Sequence, residues 1–300
     1  MPVRFSDPRD LISPKAVAQM LQILFTCAAL GLSRIAANGG SARDRGFSTF
    51  ALFTWCFSFI CTLLVFAVEF TQVHSLFPLT WKNLSVAVSA FAGLMNLATS
   101  VSYPLMVANA SESPLCSQAG TCTWTWTWTQ PLCAYDIAAI ACSCLASFAY
   151  AAEVFMSRSS RRNTYMATGP GLLKVLQVSI ACILSVPLAT GQIPAFPGFW
   201  WAVGALCACA FISLVVMVMV VECRACCPVP LERLLAAFGI LGVLLSGALL
   251  VVWTLGFSKQ DDQTACRWKL CLSSAVLISL NFLAYVSDLV HAVKLNCSRN

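Results

Sequence analysis

Four acidic side chains stand at the ends of long apolar runs: Glu69, Glu153, Glu222 and Asp288. A charged carboxylate at the centre of a membrane helix costs ~3 kcal/mol or more. Such a group therefore ends its helix in headgroup water, pairs with a donor on a neighbouring helix, or lines an ion path. Lys174 and His291 are the cations nearest these acids in the pattern. The sharper expectation is a structural polar layer of Glu69, Glu153, Lys174, Glu222, Asp288 and His291, with Lys174 or His291 pairing across helices. Interfacial termination of each helix is the plainer reading and stays open beside it.

Thiols offer a second chemistry. Cys223-Arg224-Ala225-Cys226-Cys227 follows an apolar run directly, a context that suits S-palmitoylation of Cys223, Cys226 and Cys227. Each buried acyl methylene would contribute ~0.8 kcal/mol to membrane attachment. One CxxC without a nearby His does not supply the four tetrahedral ligands of a zinc site. Cys116 and Cys122 are close enough for a short disulfide loop, although the pairing is not fixed by sequence. Asn109-Ala110-Ser111 is an N-glycosylation sequon; Asn83-Leu84-Ser85 and Asn296-Cys297-Ser298 match the same pattern. The tract Thr123-Trp124-Thr125-Trp126-Thr127-Trp128-Thr129, if extended, puts its three indoles on one face, suited to the headgroup region or to a partner.

Enzyme signatures are missing. The chain has only two histidines, His74 and His291, and HExxH, GxSxG, Walker and dinucleotide-binding patterns do not occur in their required contexts. No catalytic residue, cofactor or metal is expected.

The elements that must hold these groups follow from composition. Of 300 residues 59% are apolar and 10% charged, and the mean hydropathy is +0.80. A soluble domain carries about 25% charge, and a water-facing globule of this length needs more polar surface than the chain supplies. The natural solvent is lipid. Spanning a core of about 30 Å takes roughly 20 apolar residues as a helix. Eight runs qualify: 16–36, 47–70, 84–108, 132–156, 172–188, 199–221, 234–257 and 270–293. Helix is required because lipid cannot satisfy an exposed backbone, and no strand-length alternation suggests a barrel. The first run, preceded by a polar, proline-bearing stretch, is expected to act as an uncleaved anchor.

With both termini in the cytosol, Arg4, Arg9, Lys15, Lys82, Arg158, Arg161, Arg162, Lys174, Arg224, Arg233, Lys294 and Arg299 fall inside. Arg34, Arg43, Arg45, Lys259, Arg267 and Lys269 fall outside, and the imbalance favours this orientation. It puts Cys116, Cys122, Cys133 and Cys266 in an oxidising space, Asn109 on the glycosylated side, and Asn83 and Asn296 in the cytosol. Arg158, Arg161 and Arg162 could hold anionic inner-leaflet lipid. No basic face remains for nucleic acid.

The chain also repeats itself. Glu69 ends Leu63-Leu64-Val65-Phe66-Ala67-Val68-Glu69, and Glu222 ends Met217-Val218-Met219-Val220-Val221-Glu222. Pro78-Leu79 and Pro230-Leu231 follow. Ala149-Tyr150-Ala151-Ala152-Glu153 matches Ala284-Tyr285-Val286-Ser287-Asp288. An even number of spans per copy makes the two copies parallel, related about the membrane normal. The expected organisation is a cytosolic tail at 1–15, a four-helix unit at 16–157, a basic cytosolic linker at 158–169, a second four-helix unit at 170–293 and a tail at 294–300. The fold class is an all-α integral membrane protein of two such bundles.

These residues carry a family resemblance. Phe53-Thr54-Trp55-Cys56-Phe57, Phe77-Pro78-Leu79-Thr80-Trp81-Lys82-Asn83, Tyr103-Pro104, Tyr165-Met166-Ala167-Thr168-Gly169-Pro170-Gly171-Leu172-Leu173-Lys174-Val175 and Asn281-Phe282-Leu283-Ala284-Tyr285-Val286-Ser287-Asp288-Leu289-Val290-His291 resemble the myeloid-associated differentiation marker family. Its members carry two tandem four-helix MARVEL units. The short N-terminal tail and the loop around the Thr-Trp tract depart from the founding member and imply a paralogue. The resemblance implies a non-enzymatic organiser of ordered, cholesterol-rich membrane with links to the cortical cytoskeleton, placed in the plasma membrane. It supplies no catalytic residue.

The resulting expectation is a multi-pass protein that contacts membrane lipids and, laterally, other membrane proteins; its oligomeric state is open. The alternative is a transporter or channel built from the two repeats. That needs polar groups lining a path at mid-membrane, and the span middles show few: Asn96 and Ser100 in the third, little elsewhere. A run of small residues in the seventh span, Gly239, Gly242, Ser246 and Gly247, is expected to admit a close helix neighbour.

Overall fold

The computed structural model describes residues 13–38, 45–71, 81–110, 131–159, 165–189, 198–222, 231–258 and 265–297. Among them run eight α-helices: α1 (Pro14–Asn38), α2 (Arg45–Phe70), α3 (Trp81–Ala110), α4 (Pro131–Ser159), α5 (Gly169–Ala189), α6 (Phe199–Glu222), α7 (Leu231–Ser258) and α8 (Ala265–Cys297). One 3-10 turn, Tyr165–Ala167, precedes α5. All eight helices contain a stretch long and apolar enough to cross a membrane, and no strand occurs among the described residues.

The first helix of each unit starts in a similar way. Ser13 stands before Pro14, its hydroxyl accepting the Ala16 N–H at 3.3 Å and its carbonyl accepting the Val17 N–H at 3.0 Å. Thr168 stands before α5, its carbonyl accepting the Leu172 N–H at 3.0 Å. Proline in the first turn, at Pro14 and Pro170, costs no hydrogen bond, because those N–H groups have no intrahelical partner. Gly198 takes φ +92° just before α6, a conformation that side chains with a Cβ rarely adopt.

The chain divides into two compact units: residues 1–77 with 88–162, and 78–87 with 163–300. In the first, α1 packs against α2 and α4, and α3 is tied to both α2 and α4 by the hydrogen bonds described below. In the second, α5–α6, α6–α7, α7–α8 and α5–α8 all pack, closing a ring of four helices. The initial residues of α3 belong with this unit, where the Asn83 side-chain oxygen accepts the Met166 N–H at 3.3 Å. Asn83 is buried, so the folded protein offers no amide there for a glycan on either side of the membrane.

Beside an apolar core, each unit buries polar side chains and turns large apolar ones outward, unlike a water-soluble protein. Gln19, Gln22, Asn96 and Glu153 are inside the first unit, while Phe148 and Phe155 on α4 are 73% and 72% exposed. In the second, Lys174, Gln177 and Ser213 are inside, and Trp200 and Trp201 are about 80% exposed. Large apolar side chains turned outward suit lipid as the solvent; in water they would need a cover.

One expectation is corrected here. The span middles of the first unit are not poor in polar groups: Thr26, Ser58, Thr62, Asn96, Thr99 and Ser143 are all buried. Small hydroxyls scattered singly among Leu, Phe and Ala barely lower the hydropathy of a run. Packing gathers them on one face.

Candidate functional site

The polar side chains gather at the same end of each helix set. In the first unit Glu153 on α4 is 2% exposed. It accepts hydrogen bonds from the Gln19 amide at 3.0 Å, the Gln22 amide at 2.8 Å and the Ser89 hydroxyl at 2.8 Å. Gln19 and Gln22 lie one turn apart on α1, and Ser89 is on α3. The Gln19 amide also reaches Glu69 on α2, at 3.2 Å. The Lys15 ammonium sits 2.5 Å from Glu69 and 4.0 Å from Glu153. Thus one carboxylate joins α1, α3 and α4, and Gln19 and Lys15 extend the set to α2.

The second unit solves the same problem with a full charge. Lys174 on α5 and Asp288 on α8 form an ion pair, with side chains 1% and 8% exposed. The Lys174 ammonium also lies 5.8 Å from the centre of the Tyr285 ring. Gln177, one turn beyond Lys174, accepts the Ser213 hydroxyl at 2.8 Å. The order along α5, Lys174 then Gln177, parallels Gln19 then Gln22 on α1. Aligned this way, Lys174 takes the place of Gln19 and Asp288 that of Glu153.

One turn inward from the acid, each unit places a buried tyrosine. Tyr150 on α4 shares a hydrogen bond with the Thr62 hydroxyl at 2.6 Å and donates to the Ser58 carbonyl at 3.3 Å. The Tyr285 hydroxyl on α8 lies 2.7 Å from the Ser213 hydroxyl and 2.8 Å from the Cys209 carbonyl; with Ser213 donating to Gln177, the one tyrosine proton is shared between these two acceptors. In both cases the carbonyl and the hydroxyl lie four residues apart on the unit's second helix. Each tyrosine also covers a glycine on the third helix. A Cβ on Gly93 would come 2.9 Å from the Tyr150 Cβ, and one on Gly242 would run into the Tyr285 ring. Gly239 and Gly247 face Leu289 and Phe282 on α8.

Deeper in, the units diverge. In the first, the Trp55 indole donates to Ser143 at 3.1 Å, Ser143 donates to the Asn96 carbonyl at 3.0 Å, and the Asn96 amide donates to Ser58 at 2.8 Å. Near that depth the second unit packs Leu206, Leu184, Trp253 and Ile278 together, and its buried polar side chains there, Ser246 and Asn281, form no comparable chain across helices.

Of the acids and cations singled out from sequence, the structure brings Lys174 to Asp288, and Glu69 and Glu153 to a shared glutamine. His291 is exposed on α8. Glu222 is the last residue of α6, and its side chain lies outside the described set. Asn109 falls in the last turn of α3, its side chain likewise outside the description. Cys116, Cys122, the Thr-Trp tract, Cys223, Cys226 and Cys227 lie outside the described residues. Sequence reasoning did not single out Gln19, Gln22 or Ser89, and named Lys15 only as a cytosolic charge. Two glutamines three residues apart inside an apolar run were the available signal for Gln19 and Gln22; Lys15 and Ser89 gave none. Among the described residues no group of three or more His, Cys, Asp or Glu could hold a metal ion.

Comparison with known proteins points one way. The sequence profile of MARVEL, the membrane-associating domain, matches residues 10–156. The human myeloid-associated differentiation marker is 30% identical over 98% of this chain and 92% of its own. The homolog of that marker in Xenopus laevis is 30% identical over 95% of this chain and 94% of its own. Human myeloid-associated differentiation marker-like protein 2 is also 30% identical, over 94% and 92%. No solved structure matches the chain.

Proposed function

The chain belongs to the myeloid-associated differentiation marker family, and from that premise we propose that it acts without chemistry of its own, as a multi-pass organiser of ordered, cholesterol-rich membrane. One observation carries the reading: the buried ionised side chains within the spans, Glu153, Lys174 and Asp288, are each held by an amide, a hydroxyl or an opposite charge on a neighbouring helix, while the outward faces are apolar. Side chains spent on holding helices together leave lipid and lateral partners as the surfaces available for work. Glu69, Glu153, Lys174 and Asp288 serve in this reading as the structural polar layer that fixes helix packing. Glu222 and His291 stand at its margin.

Both termini face the cytosol of the plasma membrane in this proposal, and the two four-helix units, 16–157 and 170–293, are joined by a basic linker that meets anionic inner-leaflet lipid. Palmitoylation at Cys223, Cys226 and Cys227 would add preference for ordered lipid. Cys116–Cys122 and a glycan on Asn109 would lie outside. A link to the cortical cytoskeleton belongs to the same proposal.

The test pairs proximity labelling in intact cells with detergent-resistance fractionation and a solute-flux assay in reconstituted vesicles. The expected result is enrichment of ordered-membrane and cortical proteins, with no flux above that of empty vesicles. A saturable flux of one solute would overturn the proposal in favour of transport.

A further inference from the structure

The two units treat equivalent acids unequally. Asp288 has a buried ammonium of its own in Lys174. Glu153, equally buried, is held by two amides and a hydroxyl, all neutral. The nearest described ammonium, on Lys15, is 4.0 Å away, 40% exposed and in closer contact with Glu69. Neutral donors orient a carboxylate but do not cancel its charge, and a buried charge without a counter-ion is costly.

A second observation points to the same spot. Gln22 is fully buried, and its side-chain oxygen has no hydrogen-bond partner. The amide cannot be turned round to cure this. Its nitrogen donates to Glu153 at 2.8 Å and to the Ala149 carbonyl at 3.3 Å, and an oxygen there would face two acceptors. A spare acceptor thus sits on the same amide that holds a carboxylate whose nearest ammonium stands 4.0 Å away and is shared with Glu69. Both features call for one added positive group.

We propose that the first unit binds one monovalent cationic group at Glu153 and Gln22. It enters beside Lys15, from the membrane face where α1 begins. Glu153 supplies the charge and the Gln22 oxygen a neutral ligand atom. Gln19 and Gln22 lie about 7–12 Å in from the start of α1 at 1.5 Å per residue, the depth to which an ion from solution or the ammonium of an aminophospholipid has to pass. The second unit needs no such ligand, because Lys174 carries the positive charge within the chain.

The test uses the full chain in phosphatidylcholine nanodiscs and reads the thermal midpoint. Potassium or sodium chloride is titrated against N-methylglucamine chloride at constant ionic strength; a parallel series adds phosphatidylethanolamine with alkali ions left out. Wild type is expected to rise by roughly 5 °C with the bound cation. A rise with alkali salt identifies a free ion, and a rise with the aminophospholipid alone identifies the lipid ammonium. Gln19→Lys, which copies the second unit, is expected to remove the dependence while keeping the fold. Glu153→Gln is expected to remove it also. No rise in either series, or a rise that survives in Gln19→Lys, overturns the site.

Discussion

Replacing Lys174 by Met strands Asp288, whose side chain is 8% exposed, as a buried charge without its counter-ion. Breaking a buried ion pair from one side costs about 3–5 kcal/mol. In a chain of this size each kcal/mol lowers the midpoint by about 2–4 °C, so a fall on the order of 10 °C is expected. The Tyr285 ring beside the ammonium also loses a cation, a smaller effect of about 0.5–2 kcal/mol. The double variant Lys174→Met with Asp288→Leu removes both charges and should return to within about 1 kcal/mol of wild type. With each single loss at about 3–5 kcal/mol, a coupling of about 5 kcal/mol or more between the two positions follows. Lys15→Met is the internal control: that ammonium is 40% exposed, and its pairing with Glu69 should contribute less than about 1 kcal/mol. Thermal unfolding in nanodiscs measures the midpoint. Maleimide labelling of Cys209, buried in the same unit and resolved by peptide mass spectrometry, reports whether it is this unit that opens. If the single variants fall by no more than the Lys15 control, or the double variant loses the sum of the singles, the buried pair does not hold the second unit together.

Other outcomes are equally direct. Tyr150→Phe leaves the buried Thr62 hydroxyl without its partner and should cost about 1–2 kcal/mol by the same unfolding assay, while Tyr285→Phe should cost less, because Ser213 keeps its bond to Gln177. Gly242→Ala forces a methyl into the Tyr285 ring and should destabilise by about 1–3 kcal/mol. Gly31→Ala meets nothing within 4 Å and should be neutral or stabilising by up to about 1 kcal/mol, from helix propensity alone. Phe148→Ala removes a ring that is 73% exposed and should leave the midpoint within about 0.5 kcal/mol of wild type in lipid, so any loss of partner labelling there would report a lateral contact.

The eight spans were legible because lipid imposes a length and an apolar composition that few other settings demand. The helices observed exceed the expected runs by only a few residues at most ends, as α4, Pro131–Ser159, does against 132–156. The internal repeat was legible at Ala149-Tyr150 and Ala284-Tyr285, because the tyrosine and the acid share a spacing in both copies. The partners of those acids were harder to read. Ser89, Gln22 and Glu153 are brought together only by packing, across sequence separations of 64 and 131 residues. Nothing local in Ser89 distinguishes it from a hydroxyl that bonds back to its own helix, as Ser179 does to the Val175 carbonyl. The substitution of Gln19 by Lys174 at matching places becomes visible only when both hydrogen-bond sets are laid side by side.

The buried pair of the second unit sets a schedule for synthesis. Lys174 leaves the ribosome about 110 residues ahead of Asp288, a wait on the order of ten seconds at ~5–20 residues per second. During that interval the fifth helix carries an unmatched ammonium, which penalises its entry into the bilayer. Gln19 faces a similar wait for Glu153, but it waits uncharged. The second quartet's leading helix is therefore favoured to keep that end near the headgroups, where a lysine so close to its start reaches water, until the last helix emerges; the first quartet's leading helix carries no charge at the matching place.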